Sequence, residues 1–166
     1  ISVEAGPRMA ESEALEVTIT GEGCHGATPN LGVDPILTAA ALVMNLSAMM
    51  SREIRAVDPS ILTFGKIQSG TMGNIIPGTA TLFGTLRTVN EGVRAQLKEA
   101  ILRFADFTAQ AYRATAKVQW VGGVPVVRND PRCSDIAAAS VRELAGERAL
   151  THFDTMMASE NYGCFL

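Results

Sequence analysis

The sequence predicts an α+β fold whose elements follow the order β-α-β-β-α-β. Four segments have the residues of strands, and two of them alternate apolar and polar side chains with the period of a half-buried strand. Two longer segments follow a capping residue and carry apolar side chains in helical patterns. The chain of 166 residues, 47 % apolar and 19 % charged, is long enough to bury one substantial core.

The first strand and the loop after it contain the first candidate site residue. Leu15, Val17 and Ile19 alternate with polar neighbours, which predicts a strand with one buried face. The loop over residues 21–30 is rich in Gly, Pro and Asn, and it holds His25 among small residues. A histidine in such a loop is commonly an ordinary surface residue. Its ring can also approach a ligand closely and donate a hydrogen bond to a developing oxyanion.

The first helix is predicted to begin at Asp34-Pro35 and to extend to about Ile54. Asp accepts bonds from the free N–H groups of a helix start, and Pro at the first helical position has no N–H to leave unpaired. Apolar residues such as Met44 and Met49 cover nearly the whole circumference of this helix. Such a helix needs burial on more than one face. One face can lie on the sheet, and a second copy of the chain is the natural neighbour for the other.

Two strands joined by a glycine-bearing loop contain two further candidates. The segments 61–68 and 79–88 are predicted to pair as an antiparallel hairpin. In the loop between them, Asn74 either tolerates an unusual backbone angle or offers its amide to a polar ligand. Arg87 lies on the same side of the second strand as Thr85. An Arg on a sheet face is usually solvated, but facing a pocket its planar fork suits a substrate carboxylate.

The second helix and the fourth strand complete the unit. Asn90 is predicted to cap a helix that extends to about Ala114, and residues 116–120 alternate as a strand. The apolar stripe of this helix consists of Val93, Leu97, Ile101, Phe104 and Ala111. The order over residues 14–122 matches the ferredoxin-like unit, with two helices on one face of a four-stranded antiparallel sheet. A third helix is predicted over 132–144, after Asp130-Pro131.

Composition and charge exclude several classes of protein. A formal net charge of −3 and 5 % aromatic residues argue against a nucleic-acid-binding protein. The longest apolar stretch is too short to span a bilayer, so no membrane association is expected. The three cysteines form no CxxC pair and predict a reducing, cytoplasmic setting. The first residues are not a secretory signal, and both ends look like cuts within a longer protein.

Five segments together resemble one enzyme family. Residues 23–36 resemble the segment "GGHGAxPH…GxDPI" of the metal-dependent aminoacylase, hippurate hydrolase and carboxypeptidase G amidohydrolases. Residues 70–77 and 84–88 resemble the family's "GGTxxNVIPxxAxLxGTxRT". Residues 127–131 are similar to its "vNDP" segment, and residues 157–162 to its "MxSEDF" segment. The segments occur in the family's order, and the hippurate hydrolase branch is the most similar.

The resemblance implies a division into domains and roles for three residues. Residues 14–122 would form the lid and dimerisation domain, residues 1–13 a linker from a missing catalytic domain, and residues 123–166 a partial return into it. His25 would bind the scissile carbonyl and its oxyanion, Asn74 would contribute to substrate binding, and Arg87 would hold the substrate carboxylate. In dimeric relatives some of these residues reach the active site of the neighbouring subunit.

The resemblance also implies what the chain lacks. The family's metal ligands and catalytic glutamate lie in segments that are not in this sequence, so no metal ligand is assigned here. A divalent metal such as zinc, manganese or cobalt would belong to the parent enzyme, and this segment alone should be inactive. Asn30 stands where the family usually has His, and Asn161-Tyr162 replaces Asp-Phe, which leaves the role of Glu160 open.

Two hypotheses about function follow. In the first, the chain belongs to an amidohydrolase that acts on N-acyl amino acids such as a hippurate-like substrate, and it forms a homodimer through the lid. In the second, the chain is a free-standing, non-catalytic module for ligand binding or dimerisation, because fold does not fix function. No ligand spacing for metal is visible, and His152 and Asp154 are predicted to be surface polar residues.

Overall fold

The structure, a computed structural model, describes residues 1–166 and confirms the α+β class. Its strands are β1 (Gly6–Met9), β2 (Glu11–Thr20), β3 (Cys24–His25), β4 (Ser60–Ser69), β5 (Ile75–Ile76), β6 (Thr79–Thr88), β7 (Thr115–Val124) and β8 (Val127–Asn129). Its helices are α1 (Pro35–Glu53), α2 (Glu91–Ala111) and α3 (Pro131–Ala145). None of these helices combines the length and the apolar character needed to cross a membrane.

The central sheet has four antiparallel strands in the order β4-β6-β2-β7. With α1 and α2 on one face, this is the predicted ferredoxin-like order. The core lies between that face and the two helices. It is built around the fully buried side chains Leu15, Val17, Ile19, Leu42, Leu46, Met49, Leu82, Leu86, Leu97 and Ile101. The alternation predicted for the first strand is confirmed, because Leu15, Val17 and Ile19 all lie in this core.

All three predicted helix starts are confirmed by side-chain caps. The Asp34 carboxylate accepts hydrogen bonds from the backbone N–H groups of the first turn of α1, and Asn90 does the same for α2. Asp130 accepts from the N–H of Cys133 at the start of α3. Each cap satisfies N–H groups that have no partner within the helix, which fixes where the helix begins.

The end of α2 differs from the prediction. The helix stops at Ala111 rather than near Ala114, because Arg113 has a φ of 64° and the N–H of Ala114 bonds back to the carbonyl of Ala109. That left-handed residue reverses the chain toward β7. Ala111, predicted on the apolar stripe, is therefore exposed, whereas Val93, Leu97 and Ile101 are buried as expected.

The outer face of α1 is apolar and exposed. One face of the helix packs on the sheet through residues such as Leu42, Leu46 and Met49. On the opposite face Ile36, Ala40, Met44 and Ala48 follow one another at four-residue intervals, and all are exposed. The sequence predicts that α1 is buried on more than one face. Within a single copy of the chain its outer face stays exposed.

Two additional short strands lie at the base of the sheet. β1 pairs with β8 in an antiparallel ribbon, and neither strand was predicted. The segment after α3, residues 146–166, is called the tail, and it packs beside this ribbon. The N–H of Ala10 donates to the carbonyls of Met156 at 2.9 Å and Ala158 at 3.0 Å. The division of the chain at residues 13 and 122 remains a prediction.

The core predicts one large effect on stability. Leu97 is fully buried between α2 and the sheet, and Leu97→Ala should lower the free energy of unfolding by about 2–5 kcal/mol through lost contacts and a residual cavity. Leu144 on α3 is 86 % exposed, so Leu144→Ala should change it by less than about 0.5 kcal/mol. Urea denaturation of both variants measures the difference. Equal losses would contradict the position of Leu97 in the core.

Candidate functional site

Two of the three predicted site residues lie side by side. β3, which contains His25, pairs antiparallel with β5, which begins directly after Asn74. The backbone N–H of Gly26 donates to the carbonyl of Asn74 at 2.8 Å. The loop that follows β2 and the loop that precedes β6 are therefore joined, with His25 in β3 and Asn74 directly before β5; they are called the loop pair below.

Gly26 permits this close approach of the two loops. A Cβ atom at this position would lie 3.0 Å from the carbonyl oxygen of Asn74, which is tighter than ordinary van der Waals contact. Asn74 itself has no positive φ, so its presence is not explained by a left-handed backbone. The interpretation that Asn74 adopts a left-handed backbone is therefore wrong, and the contact of its amide with a polar ligand stays a prediction.

The hydrogen bonds of His25 determine which ring nitrogen can donate. Its Nδ1 accepts from the backbone N–H of Ala27 at 3.1 Å. In the neutral ring this places the proton on Nε2, because one nitrogen accepts while the other donates. The residue is exposed, and neither Nε2 nor the Asn74 side-chain amide has a hydrogen-bond partner within the chain. Both groups are available to a carbonyl oxygen.

A polar cleft opens beside these loops. It has a volume of about 480 Å³ and lies between the end of β4 and the start of β6. Its walls are formed by Gln68, Ser69, Gly70, Thr71, Ile75, Pro77, Thr79 and Thr81. Hydroxyl and amide groups dominate this lining, which suits a small polar ligand better than an apolar one.

Arg87 lies at the opposite end of the sheet. It follows Thr79, the first residue of β6, by eight positions, which corresponds to about 26 Å along a strand. As predicted, it shares the face of β6 with Thr85, away from the buried Leu86 and Thr88. The structure therefore does not bring Arg87 together with His25 and Asn74 within one copy of the chain.

The Arg87 guanidinium binds the tail. Its Nη1 donates to the carbonyl of Met157 at 3.0 Å and to Oγ of Ser159 at 3.1 Å. The side chain is half-buried and forms no salt bridge. Sequence reasoning missed both contacts, because they join residues about 70 positions apart. The similarity of residues 157–162 to a family motif pointed to this segment, but it did not predict that Arg87 contacts it.

The buried acidic groups of the sheet serve a different purpose. Glu11 pairs with Arg94 at 3.0 Å, and Glu13 pairs with Lys98 at 3.0 Å, both on the helix-covered face. Burial raises the pKa of Glu11, and the neighbouring Arg94 only partly offsets it. These pairs fasten α2 to β2 and lie on the other side of the sheet from Arg87.

No group of three or more His, Cys, Asp and Glu side chains is arranged to hold a metal ion in this chain. His152 and Asp154 are exposed, as predicted; the His152 ring contacts Glu4 through Nδ1 and Asp154 through Nε2. The residues present therefore do not form a site for the divalent metal that the resemblance implies.

The pair formed by Glu4 and His152 joins the start of the chain to the tail. The hydrogen bond from His152, helped by Ser2, lowers the pKa of Glu4 from 4.5 to about 2. The same bond, helped by Asp154, raises the pKa of His152 above its ordinary 6.5. Glu4 thus contributes stability that is present above pH 4.5 and lost toward pH 2. His152 contributes stability that is present below pH 6.5 and lost as pH rises through its raised pKa.

We expect Glu4→Gln to return the His152 titration midpoint toward 6.5. The substitution removes the hydrogen bond to the Glu4 carboxylate, which is the largest cause of the raised His152 pKa. Asp154→Asn should lower the midpoint less. The ring-proton chemical shift of His152 between pH 5 and 9 measures each midpoint. A midpoint in Glu4→Gln equal to that of the unmodified chain would contradict the pairing.

The fold and the loop pair define a class: an α+β domain that exposes an imidazole and a side-chain amide on two loops joined by a short antiparallel pairing. The model of the peptidase dimerisation domain matches residues 12–113, which is more than half of the chain. The chain therefore belongs to the dimerisation domains of the M20 family of peptidases and amidohydrolases, which confirms the resemblance seen in the sequence.

Individual relatives agree with this assignment. The chain is 34 % identical over its whole length to N-acetyl-L-cysteine deacetylase of Bacillus subtilis, of which it covers 39 %. It is 29 % identical over 98 % of its length to hippurate hydrolase of Campylobacter jejuni, of which it covers 43 %. A dinuclear metal-binding M20 peptidase from Bacillus subtilis has the same fold, with a TM-score of 0.79 and 25 % identity over 99 % of this chain. The chain spans about 40 % of that structure.

Proposed function

We propose that the chain is the lid, dimerisation and substrate-binding part of an amidohydrolase that cleaves N-acyl amino acids, with hippurate-like compounds as the substrate class. The observation that carries the proposal is the pairing of β3 with β5, which joins the loop of His25 to the loop of Asn74 through the bond from Gly26 to the Asn74 carbonyl, while Nε2 of His25 and the Asn74 side chain have no partner within the chain. The names of two relatives, an N-acetylcysteine deacetylase and a hippurate hydrolase, describe hydrolysis of an acylated amino acid or a similar amide.

Each of the three residues has a role in this reaction. When the scissile carbonyl is attacked, negative charge develops on its oxygen, and the Nε2–H of His25 donates to that oxygen. The side-chain amide of Asn74 orients the substrate amide next to it. Arg87 binds the carboxylate of the amino-acid part through its planar guanidinium. A divalent metal held by other parts of the parent enzyme would activate the attacking water.

The distance along β6 implies that the three residues of one copy do not serve one substrate. About 26 Å separates Thr79, near the loop pair, from Arg87, and an N-acyl amino acid is far shorter. One complete site therefore combines His25 and Asn74 of one copy with Arg87 of another. In this arrangement the active site is formed only in a dimer.

The dimer is proposed to form through the outer face of α1. This exposed stripe, which contains Ile36 and Met44, is apolar at four-residue intervals. Apolar stripes on surface helices are typically covered by another element, and a second copy of α1 provides a surface of the same character. The 166-residue chain alone is proposed to be inactive, because it holds no metal site. The parent is proposed to be cytoplasmic, with its cysteines unpaired.

Cloning the parent gene and assaying the purified enzyme with added divalent metals tests the proposal. We expect release of amino acid from a panel of N-acetyl, N-benzoyl and longer N-acyl amino acids. We also expect His25→Ala to reduce kcat by about 100-fold or more at unchanged metal content. A parent enzyme that cleaves none of these amides with any metal would overturn the proposal.

A further inference from the structure

We propose that Ser159 is a positioning residue that orients the Arg87 guanidinium toward the substrate carboxylate. This inference rests on the proposed function, in which Arg87 binds that carboxylate. It adds Ser159, a residue of the tail, to the determinants of substrate affinity.

The hydrogen bonds of Arg87 leave one side of its guanidinium available. Nη1 donates to both the Met157 carbonyl and Oγ of Ser159, so this nitrogen has no further donor to offer. Nη2 and Nε make no hydrogen bond within the chain. Those two nitrogens form the edge of the guanidinium that binds a carboxylate through two parallel hydrogen bonds.

The charge of Arg87 also points to an anionic ligand. The two groups that bind it, a carbonyl and a hydroxyl, are neutral, and no carboxylate of the chain pairs with it. By contrast, Arg8 is paired with Glu4, and Arg94 and Lys98 on the opposite face of the sheet are paired with Glu11 and Glu13. Arg87 is therefore a half-buried cation without a counter-charge, which an anionic group would stabilise.

Ser159 itself is held in a fixed place. The N–H of Ala10 donates to the carbonyls of Met156 and Ala158, and the N–H of Met156 donates to the carbonyl of Arg8. Ala10 is fully buried and directly precedes β2. β2 is also the strand that pairs with β6 next to Arg87, through Ser12. The segment that contains Ser159 is thus held beside the start of β2, and Arg87 lies on β6, the strand that pairs with that start.

Loss of the Ser159 hydroxyl should act on substrate affinity rather than on the chemical step. Without it the guanidinium keeps one bond on Nη1 and gains rotational freedom, which must be lost again when a carboxylate binds. A contact to a part of the substrate remote from the scissile bond is equally strong in the ground and transition states. Its loss therefore raises KM and leaves kcat nearly unchanged.

The test compares Ser159→Ala, Ser159→Thr and Ser12→Ala in the parent enzyme. Ser12 is the matched control, because it lies directly opposite Arg87 on β2 and its hydroxyl makes no hydrogen bond to Arg87. We expect Ser159→Ala to raise KM for an N-acyl amino acid by about five- to tenfold at constant kcat. Ser159→Thr, which keeps the hydroxyl, and Ser12→Ala should stay within about twofold of the unmodified enzyme.

Two further measurements separate the possible failures. Against an N-acyl amine without the carboxylate, Ser159→Ala should show no change in KM. In the 166-residue chain, the side-chain nitrogen signals of Arg87 should report faster guanidinium rotation after Ser159→Ala. An active parent whose KM is unaffected by Ser159→Ala overturns the positioning role alone, as does an equal rise in KM for both substrates. A parent without amide hydrolysis overturns the proposed function as well.

Discussion

Co-expression of the His25→Ala and Arg87→Gln variants of the parent enzyme is expected to restore hydrolysis to about a quarter of the unmodified rate. At substrate concentrations below KM, each variant alone should be at least about 100-fold less active, His25→Ala through kcat and Arg87→Gln through KM. Random assembly makes about half of the dimers mixed, and each mixed dimer contains one site without either lesion. This follows from the length of β6, which places Arg87 and the His25 loop at opposite ends of one copy.

A matched pair of variants controls for nonspecific rescue. His25→Ala co-expressed with Asn74→Ala should restore nothing, because both residues lie on the same loop pair and every site then keeps one lesion. Activity near the level of the single variants in the first mixture would show that His25 and Arg87 act within one copy. Urea denaturation of Arg87→Gln checks that loss of its bonds to the tail does not unfold the chain.

The second large effect concerns the outer face of α1. Met44 is 72 % exposed at the centre of the apolar stripe, so Met44→Glu should place a charge in the proposed interface. Burying an unpaired carboxylate is costly, and we expect dimerisation to weaken by about 100-fold or more. Light scattering on the 166-residue chain should show a change from twice 17.6 kDa to 17.6 kDa.

The control for this experiment is Leu144→Glu on α3. Leu144 is also a large, exposed apolar residue, but it lies outside the stripe. Its substitution should leave the dimer intact. A dimer that survives Met44→Glu, or that is lost equally in Leu144→Glu, would contradict an interface on α1. In the parent enzyme, Met44→Glu should also abolish hydrolysis, because the proposed site needs two copies.

The regular elements were predictable because their signals are local. Caps at Asp34, Asn90 and Asp130 fixed the helix starts, and alternation around Leu15 identified the central strand. The end of α2 was not predictable in this way, because a left-handed conformation at Arg113 has no mark in the residue type. Arg is not among the residues that usually adopt it.

The site was predictable only in part, because the contacts that build it are not local in the sequence. His25 and Asn74 were each recognisable in a loop, but β3 and β5 have two residues each, too few for any periodicity. β1 and β8 have four and three residues and were missed likewise. The bonds from Arg87 to Met157 and Ser159 depend on how the tail folds back across the sheet. No sequence spacing encodes such a contact.

The pairing of β1 with β8 has a consequence for evolution and engineering. Because Met9 lies opposite Val127, the polypeptide enters and leaves the helix-and-sheet unit at one point. A domain that is joined to the rest of an enzyme by one two-stranded ribbon can be exchanged as a whole. Its replacement leaves the distance between the two attachment points unchanged. Grafting this unit onto the corresponding ribbon of a related enzyme would transfer the proposed oxyanion-binding loop pair and the proposed dimer interface on α1 together.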